Sequence, residues 1–296
     1  DMADHDITDE TRLAAVQDWE RQSPSVGIRG LGQTSGRVAH FFRGAVPVSL
    51  IEMALNSAND LALRSTSTST LLRWAKLDSV DSLRTAPLAT GDTLSRRVQR
   101  ESMAAAATLG ATTGLGGAAL MAVDIPALIT LCLRTIHRTG LSYGMPLEGE
   151  AGRMLAIGLF ALASSNTADE KRAAMETLSR TAPGEPMASL LESAWREGVE
   201  RASERELTKQ AVTFSISNLG RQLGWNLAKR KSAAAIPVLG AVVGGSVNAW
   251  TVYDLARTTR FAFLAWRLGH WGPQRALTQA STQALANPAT DSYPER

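Results

Sequence analysis

The sequence predicts an all-α fold, a single compact multi-helix domain built around two Gly/Ala-rich, charge-free helices. Three observations carry this. Apolar residues recur at spacings of three and four in one segment after another, and no stretch shows the sustained apolar/polar alternation of a half-buried strand. Pro, Gly, Asp and Ser/Thr fall between these segments, where helices start and stop. Two long runs, 102–123 and 232–253, carry no charged residue and are dominated by Ala, Gly, Ser, Thr and Val.

Taken in order, the first helix spans about 9–22, capped by Asp6 or Thr8, with Leu13, Val16 and Trp19 facing inward. Residues 25–36 hold Gly27, Gly30, Gly32 and Gly36 and read as a loop. A phosphate cradle there would need a preceding strand and a Gly-Lys-Ser/Thr ending, and neither is present. A second helix covers about 37–65, bent or broken at Pro47. A short helix follows at 70–76, then an irregular stretch over 78–92. Asp92 and Thr93 cap the helix that carries Arg96, Arg97 and Arg100 into the first charge-free run.

Gly110, Gly114 and Gly117 fall on one helical face and permit close backbone approach, with a break near Gly116. Asp124 reads as the N-cap of a helix from 125 to 139 with Pro126 in its first turn, and Gly140 as its stop. Residues 152–165 form a buried apolar helix too short to span a bilayer. Asn166 or Thr167 caps the next helix. An amphipathic segment begins at Met187, another helix covers 214–227, and Pro237 opens a helix on which Gly240, Gly244 and Asn248 share a face. The expected partner of that face is the glycine face of the first run. A last helix spans 254–270, with Arg257, Arg260, Phe261, Phe263, Trp266 and Arg267.

Two blocks are distinctive as motifs. The first joins Gly116-Gly117 to Asp124-Ile125-Pro126, Arg134 and Tyr143-Gly144. The second is Ile236-Pro237 with Gly240, Gly244, Gly245 and Asn248, continued by Ala256, Arg257 and Arg260. Together they resemble the core signature of the EcsC family over about residues 47–267. The resemblance implies a helical protein. The family takes its name from a gene beside those of an ABC transporter, so a transporter partner is one expectation. It supplies no catalytic residues. The resulting division is 1–43 as an N-terminal extension, 44–270 as the EcsC-like domain and 271–296 as a polar tail.

Composition narrows the function classes. The chain has 296 residues and a net charge of +3, too small a surplus to argue for nucleic acid. Its single cysteine, Cys132, rules out an internal disulfide or a cysteine-based metal site, as expected of a cytoplasmic protein. The acidic, polar start has no secretory-signal pattern. Full membrane insertion is disfavoured because the first run has few large apolar residues and Asp124 and Pro237 interrupt the apolar pattern. Basic clusters do precede both runs: Arg96, Arg97 and Arg100, then Lys229, Arg230 and Lys231. With the Arg/Trp/Phe helix at the C-terminal end, they point to reversible binding at the cytoplasmic membrane face. The competing expectation for Phe263 and Trp266 is core packing.

HExxH, GxSxG and Walker motifs are absent, and no cofactor or metal is expected. The leading expectation is a non-enzymatic accessory protein binding a lipid or apolar ligand, with Asp124, Tyr143 and Asn248 lining the cavity. The alternative is a hydrolase-like enzyme using Asp124, His137 and Tyr143. Asp124 and His137 lie more than three turns apart on one helix and do not meet along it.

Overall fold

A computed structural model describes residues 8–24, 48–114, 117–165, 168–180 and 240–272. Among these residues every regular element is a helix, in the order α1 (Asp9–Arg21), α2 (Val48–Ser65), α3 (Thr68–Ala75), α4 (Val80–Thr85), α5 (Leu88–Gly114), α6 (Gly117–Ser142), α7 (Gly149–Ala163), α8 (Ala168–Ser179) and α9 (Gly240–Arg267). The segments read from the sequence at 187–239 lie outside the described residues, as do Pro47, Asn166, Thr167 and Lys229–Lys231.

Short polar side chains start the early helices. The Thr8, Ser67 and Ser79 hydroxyls accept the backbone N–H of Thr11, Thr70 and Ser82 and so open α1, α3 and α4. The stretch 78–92 is therefore not irregular. Helix α5 starts at Leu88, directly after Pro87, which puts Asp92 inside the helix rather than at its cap. Position 92 is too deep to serve the orphan N–H groups of the first turn, and its carboxylate turns inward.

Helix α6 begins at Gly117 and runs through Pro126 without ending, so Asp124 is not an N-cap. The six residues before Asp124, Ala118 to Val123, are mostly good helix formers, and they carry the helix past the one hydrogen bond that proline removes. Its stop is also later than Gly140. Gly144 takes φ +69°, with Met145 N–H bonded to the Gly140 carbonyl at 2.9 Å and Gly144 N–H to Leu141 at 2.9 Å. That pair of bonds closes a left-handed glycine terminus. Gly140 serves a different purpose: a Cβ there would lie 2.8 Å from the Phe263 ring.

Similarly, α9 is one helix, where the sequence suggested two. It lies along α5 more extensively than any other pair among the described helices. The two backbones come close at Gly245, where a Cβ would stand 2.9 Å from the Ala107 carbonyl oxygen and 3.6 Å from the Ala111 Cβ. The sequence reading set Gly110, Gly114 and Gly117 against Gly240, Gly244 and Asn248; Gly117 instead opens α6, and the described close contact of α5 with α9 uses Gly245 against Ala107 and Ala111.

The main core draws on α1, α2 and α5 to α9, including Val16, Trp19, Ala62, Leu128, Ile129, Leu133, Leu159, Phe160, Phe263 and Trp266. Phe263 and Trp266 are buried, so α9 presents neither to a membrane. Helix α1 belongs to this core as well: Trp19 stacks on Phe261 at 5.4 Å and tilts against Trp271 at 5.9 Å. No helix among the described residues is long and apolar enough to cross a membrane.

Gly144 and Gly149 separate backbone strain from steric conflict. Both have positive φ, but a Cβ at Gly144 would sit 2.3 Å from the Arg84 backbone nitrogen, whereas Gly149 has nothing within 4 Å. Gly149→Ala is expected to cost about 1–2 kcal/mol, the left-handed penalty alone. Gly144→Ala should cost several kcal/mol, because α4 must also move. Urea denaturation of both variants measures the difference, and equal costs would mean that the Gly144–Arg84 contact yields easily.

Candidate functional site

Four segments meet at Asp92. Its carboxylate accepts the Tyr143 hydroxyl at 2.7 Å and Arg12 Nε at 3.1 Å, and Arg260 Nη1 lies 3.9 Å away. Ser95, on the next turn, bonds the Asp92 carbonyl at 3.0 Å and reaches the Tyr143 hydroxyl at 3.4 Å. Arg12 also meets Asp9 at 3.3 Å, and the Arg260 guanidinium lies over the Phe261 ring at 4.6 Å. A buried carboxylate is costly unless paired and hydrogen-bonded, and here it has both kinds of partner.

Tyr143 is held at every part. Its ring lies against the α5 backbone at Gly91, where a Cβ would come within 2.6 Å of Cδ1. Phe263 stacks on it at 6.5 Å. Its carbonyl accepts Arg267 Nη1 at 2.9 Å, and the same guanidinium reaches the Leu83 carbonyl at 3.3 Å and Ala86 at 3.0 Å. Burial, then the Asp92 charge, push the hydroxyl pKa far above the usual tyrosine range. Tyr143 is therefore a neutral donor locked in place, with no tendency to become a phenolate.

His137 stands elsewhere. It is buried, and its Nε2 meets Asn59 Oδ1 at 2.9 Å. Burial pulls its pKa down to about 4, so the ring is neutral at ordinary pH. His137 and Tyr143 thus have different partners, Asn59 for one and Asp92 with Ser95 for the other. The α6 backbone places Asp124 between Val123 and Ile125, before Pro126. Asn248 is buried on α9. Of the basic residues, Arg96, Arg97 and Arg100 are exposed along α5. Arg97 lies over the Trp74 ring at 3.8 Å and 3.8 Å from Glu101, which also binds Arg138 at 2.9 Å.

A second polar site closes the C-terminal end of α1. Lys171 from α8 donates to the carbonyls of Trp19, Glu20 (3.3 Å) and Gln22 (2.7 Å). An ammonium at a helix C-terminus satisfies orphan carbonyls and the helix dipole together. Burial and the nearby Arg257 lower its pKa to about 8, which leaves it charged at neutral pH. The cleft beside it, lined by Trp19, Gln22, Ser165, Asp254 and Arg257, has a free volume of about 30 Å³. That is room for one or two waters, not for an organic substrate. Among the described residues no cluster of His, Cys, Asp and Glu is arranged to hold a metal ion.

Sequence reasoning missed Asp92, Arg12 and Arg260. Signals for the first two were present: Pro87 marks the α5 start, and Arg12 shares the stripe of Val16 and Trp19 at helical spacing. Arg260 was marked as part of the second motif block, which gave no sign of its partner.

Two outcomes follow from this geometry. Asp92→Asn should cost about 3–5 kcal/mol, because the buried Arg12 loses its buried anion and keeps the exposed Asp9 carboxylate, while Tyr143→Phe should cost about 1–3 kcal/mol for one unpaired acceptor. A double-mutant cycle by chemical denaturation checks their coupling, and additive costs would argue against a shared network. For His137 the folded pKa lies below the unfolded value, so the unfolded chain binds more protons as pH falls. Stability is full above pH 6.5 and declines between 6.5 and 4. His137→Gln should flatten that decline by up to about 3 kcal/mol in denaturation curves taken across the range.

The sequence profile of the EcsC protein family matches residues 10–267, from α1 to the end of α9. The match takes in the α1 segment that the sequence reading set apart as an extension. An uncharacterized Bacillus subtilis (strain 168) protein, YdbA, is 28% identical over 184 residues, covering 61% of this chain. The aligned region spans 59% of YdbA's own length. No solved structure matches the chain. With the profile covering most of the sequence, the chain belongs to the EcsC protein family.

Proposed function

We propose that this chain is a non-enzymatic binding protein that docks reversibly on the cytoplasmic face of a membrane through electrostatic contact with anionic lipid. The observation that carries the reading is the basic stripe of α5. Arg96, Arg97 and Arg100 are exposed on neighbouring turns of one helix face, and Arg96 and Arg100 have no ion pair among the described residues. Glu101 on the same stripe is occupied by Arg97 and Arg138. Arg73 and Lys76 of the adjoining α3 region are exposed too and add to the positive charge.

Each basic residue near an anionic leaflet contributes about 1 kcal/mol, so this stripe supplies roughly 3–5 kcal/mol. That suits reversible docking, and salt would weaken it. The arginines of α9 are not part of the surface. Arg260 faces Asp92, Arg257 bonds Gln22 at 2.7 Å, and Arg267 is committed to backbone carbonyls. The non-enzymatic side of the reading is supported by Tyr143 and His137, which are neutral, buried and engaged by separate partners.

Co-sedimentation with phosphatidylglycerol vesicles, against phosphatidylcholine vesicles, tests the proposal. We expect pelleting with the anionic vesicles at low salt, its loss at high salt, and at least tenfold weaker binding in Arg96→Gln/Arg100→Gln. Failure to pellet with either lipid sinks the reading. Equal pelleting by the double variant removes α5 as the docking face.

A further inference from the structure

Arg134 differs from the other enclosed cations. Arg12, Arg138, Lys171 and Arg267 each have carboxylate or carbonyl oxygens within hydrogen-bond reach. Arg134 Nε is buried and has no acceptor. One turn further along the same face of α6, buried His137 has a second orphan atom, Nδ1. With the Asn59 amide oriented so that Oδ1 faces the ring, Nε2–H is the donor and Nδ1 is the unprotonated nitrogen. The two orphans have opposite needs: the guanidinium lacks an acceptor, and the imidazole nitrogen lacks a donor.

The two atoms lie at different depths, Arg134 on a half-buried residue and His137 on a buried one. Ala127, Thr130, Leu131 and Arg134 form a half-buried stripe on α6, and from Thr135 to Gly144 the chain is buried without interruption. Arg134 therefore stands at the rim and His137 one turn deeper. Thr130 is turned back to the Pro126 carbonyl at 2.9 Å, which leaves Ala127 and Leu131 as apolar surface above the arginine.

We propose that Arg134 and His137 form a binding site for a phosphomonoester, with phosphate oxygens on the Arg134 guanidinium and one P–O group on His137 Nδ1. The protonation chemistry selects this class. A phosphomonoester loses its second proton near pH 6. As the monoanion, its P–OH donates to the bare Nδ1. As the dianion, it accepts from an Nδ1 that has taken up that same proton, and the proton count of the pair is unchanged. A carboxylate lacks the proton at neutral pH, and a phosphodiester lacks it throughout. The phosphate can be free or the headgroup of a lipid whose chain lies on Ala127 and Leu131. This site does not depend on the α5 basic stripe, and variants at Arg96 and Arg100 leave it intact.

Imidazole NMR of histidine-labelled protein, with His137→Gln for assignment, tests the site against inorganic phosphate, glycerol 3-phosphate and short-chain phosphatidate. We expect millimolar or tighter binding that moves the His137 resonances and raises its pKa from about 4 toward neutrality. Arg134→Gln should weaken the effect by roughly tenfold or more. Without phosphate, this variant should melt at the wild-type temperature or above, because it removes an unpaired cation. A response to phosphatidate alone assigns the site to lipid, and a response to all three assigns it to the phosphate group itself. Unmoved His137 resonances with all three compounds, an equal response in Arg134→Gln, or a clear loss of stability in that variant without phosphate would each overturn the proposal.

Discussion

The buried carboxylate of Asp92 is the constraint on which the rest of the fold depends. A charge in the interior is tolerated only when partners reach it, and they come from α1, α6 and α9. Satisfying it fixes where α1 lies, how far α6 runs before it stops, and which face α9 turns inward. Tyr143 is the counterpart of Asp92, because its hydroxyl meets α5, its carbonyl meets α9 and its ring lies between the two. The rigid left-handed stop at Gly144 then places α4 directly against the end of α6.

Around this point the molecule solves one recurring problem, the unpaired carbonyls at helix C-termini. Lysine and arginine side chains from neighbouring helices fill that need. Lys171 closes α1, while Arg267 closes the ends of α4 and α6 together. Small residues make such reach available. Gly245 brings the α9 backbone against Ala107, and Gly91 and Gly140 admit aromatic rings where any Cβ would collide.

A division among the arginines follows. Arg12, Arg138, Arg260 and Arg267 are committed to the fold through carboxylates, an aromatic face or carbonyls. Arg96 and Arg100 face solvent, and Arg134 stands half-buried with its Nε unserved. Cations that the fold does not use are the ones available for function, and both functional proposals rest on them. Aromatic residues sort differently: Phe263 and Trp266 belong to the core, although their spacing along the sequence equally suited a membrane interface.

Much of the architecture was legible in the chain itself because helix signals are local. The 3.6-residue period, the Thr8 cap and the apolar run of α7 all act within four residues. The same locality misled at Asp92 and Asp124, where a carboxylate at an apparent helix start was read as a cap, and at Gly140, where a glycine was read as a stop. Tyr143 was singled out as a site residue, but its partner is Asp92, 51 residues away. Arg12 reaches the same carboxylate across 80 residues. By itself the sequence determined the helical class, most of the helices and the small-residue character of the α5–α9 contact. Only the tertiary structure decided which polar groups meet, since pairing across such separations is set by helix packing angles and close approach, quantities to which no periodicity along the chain is sensitive.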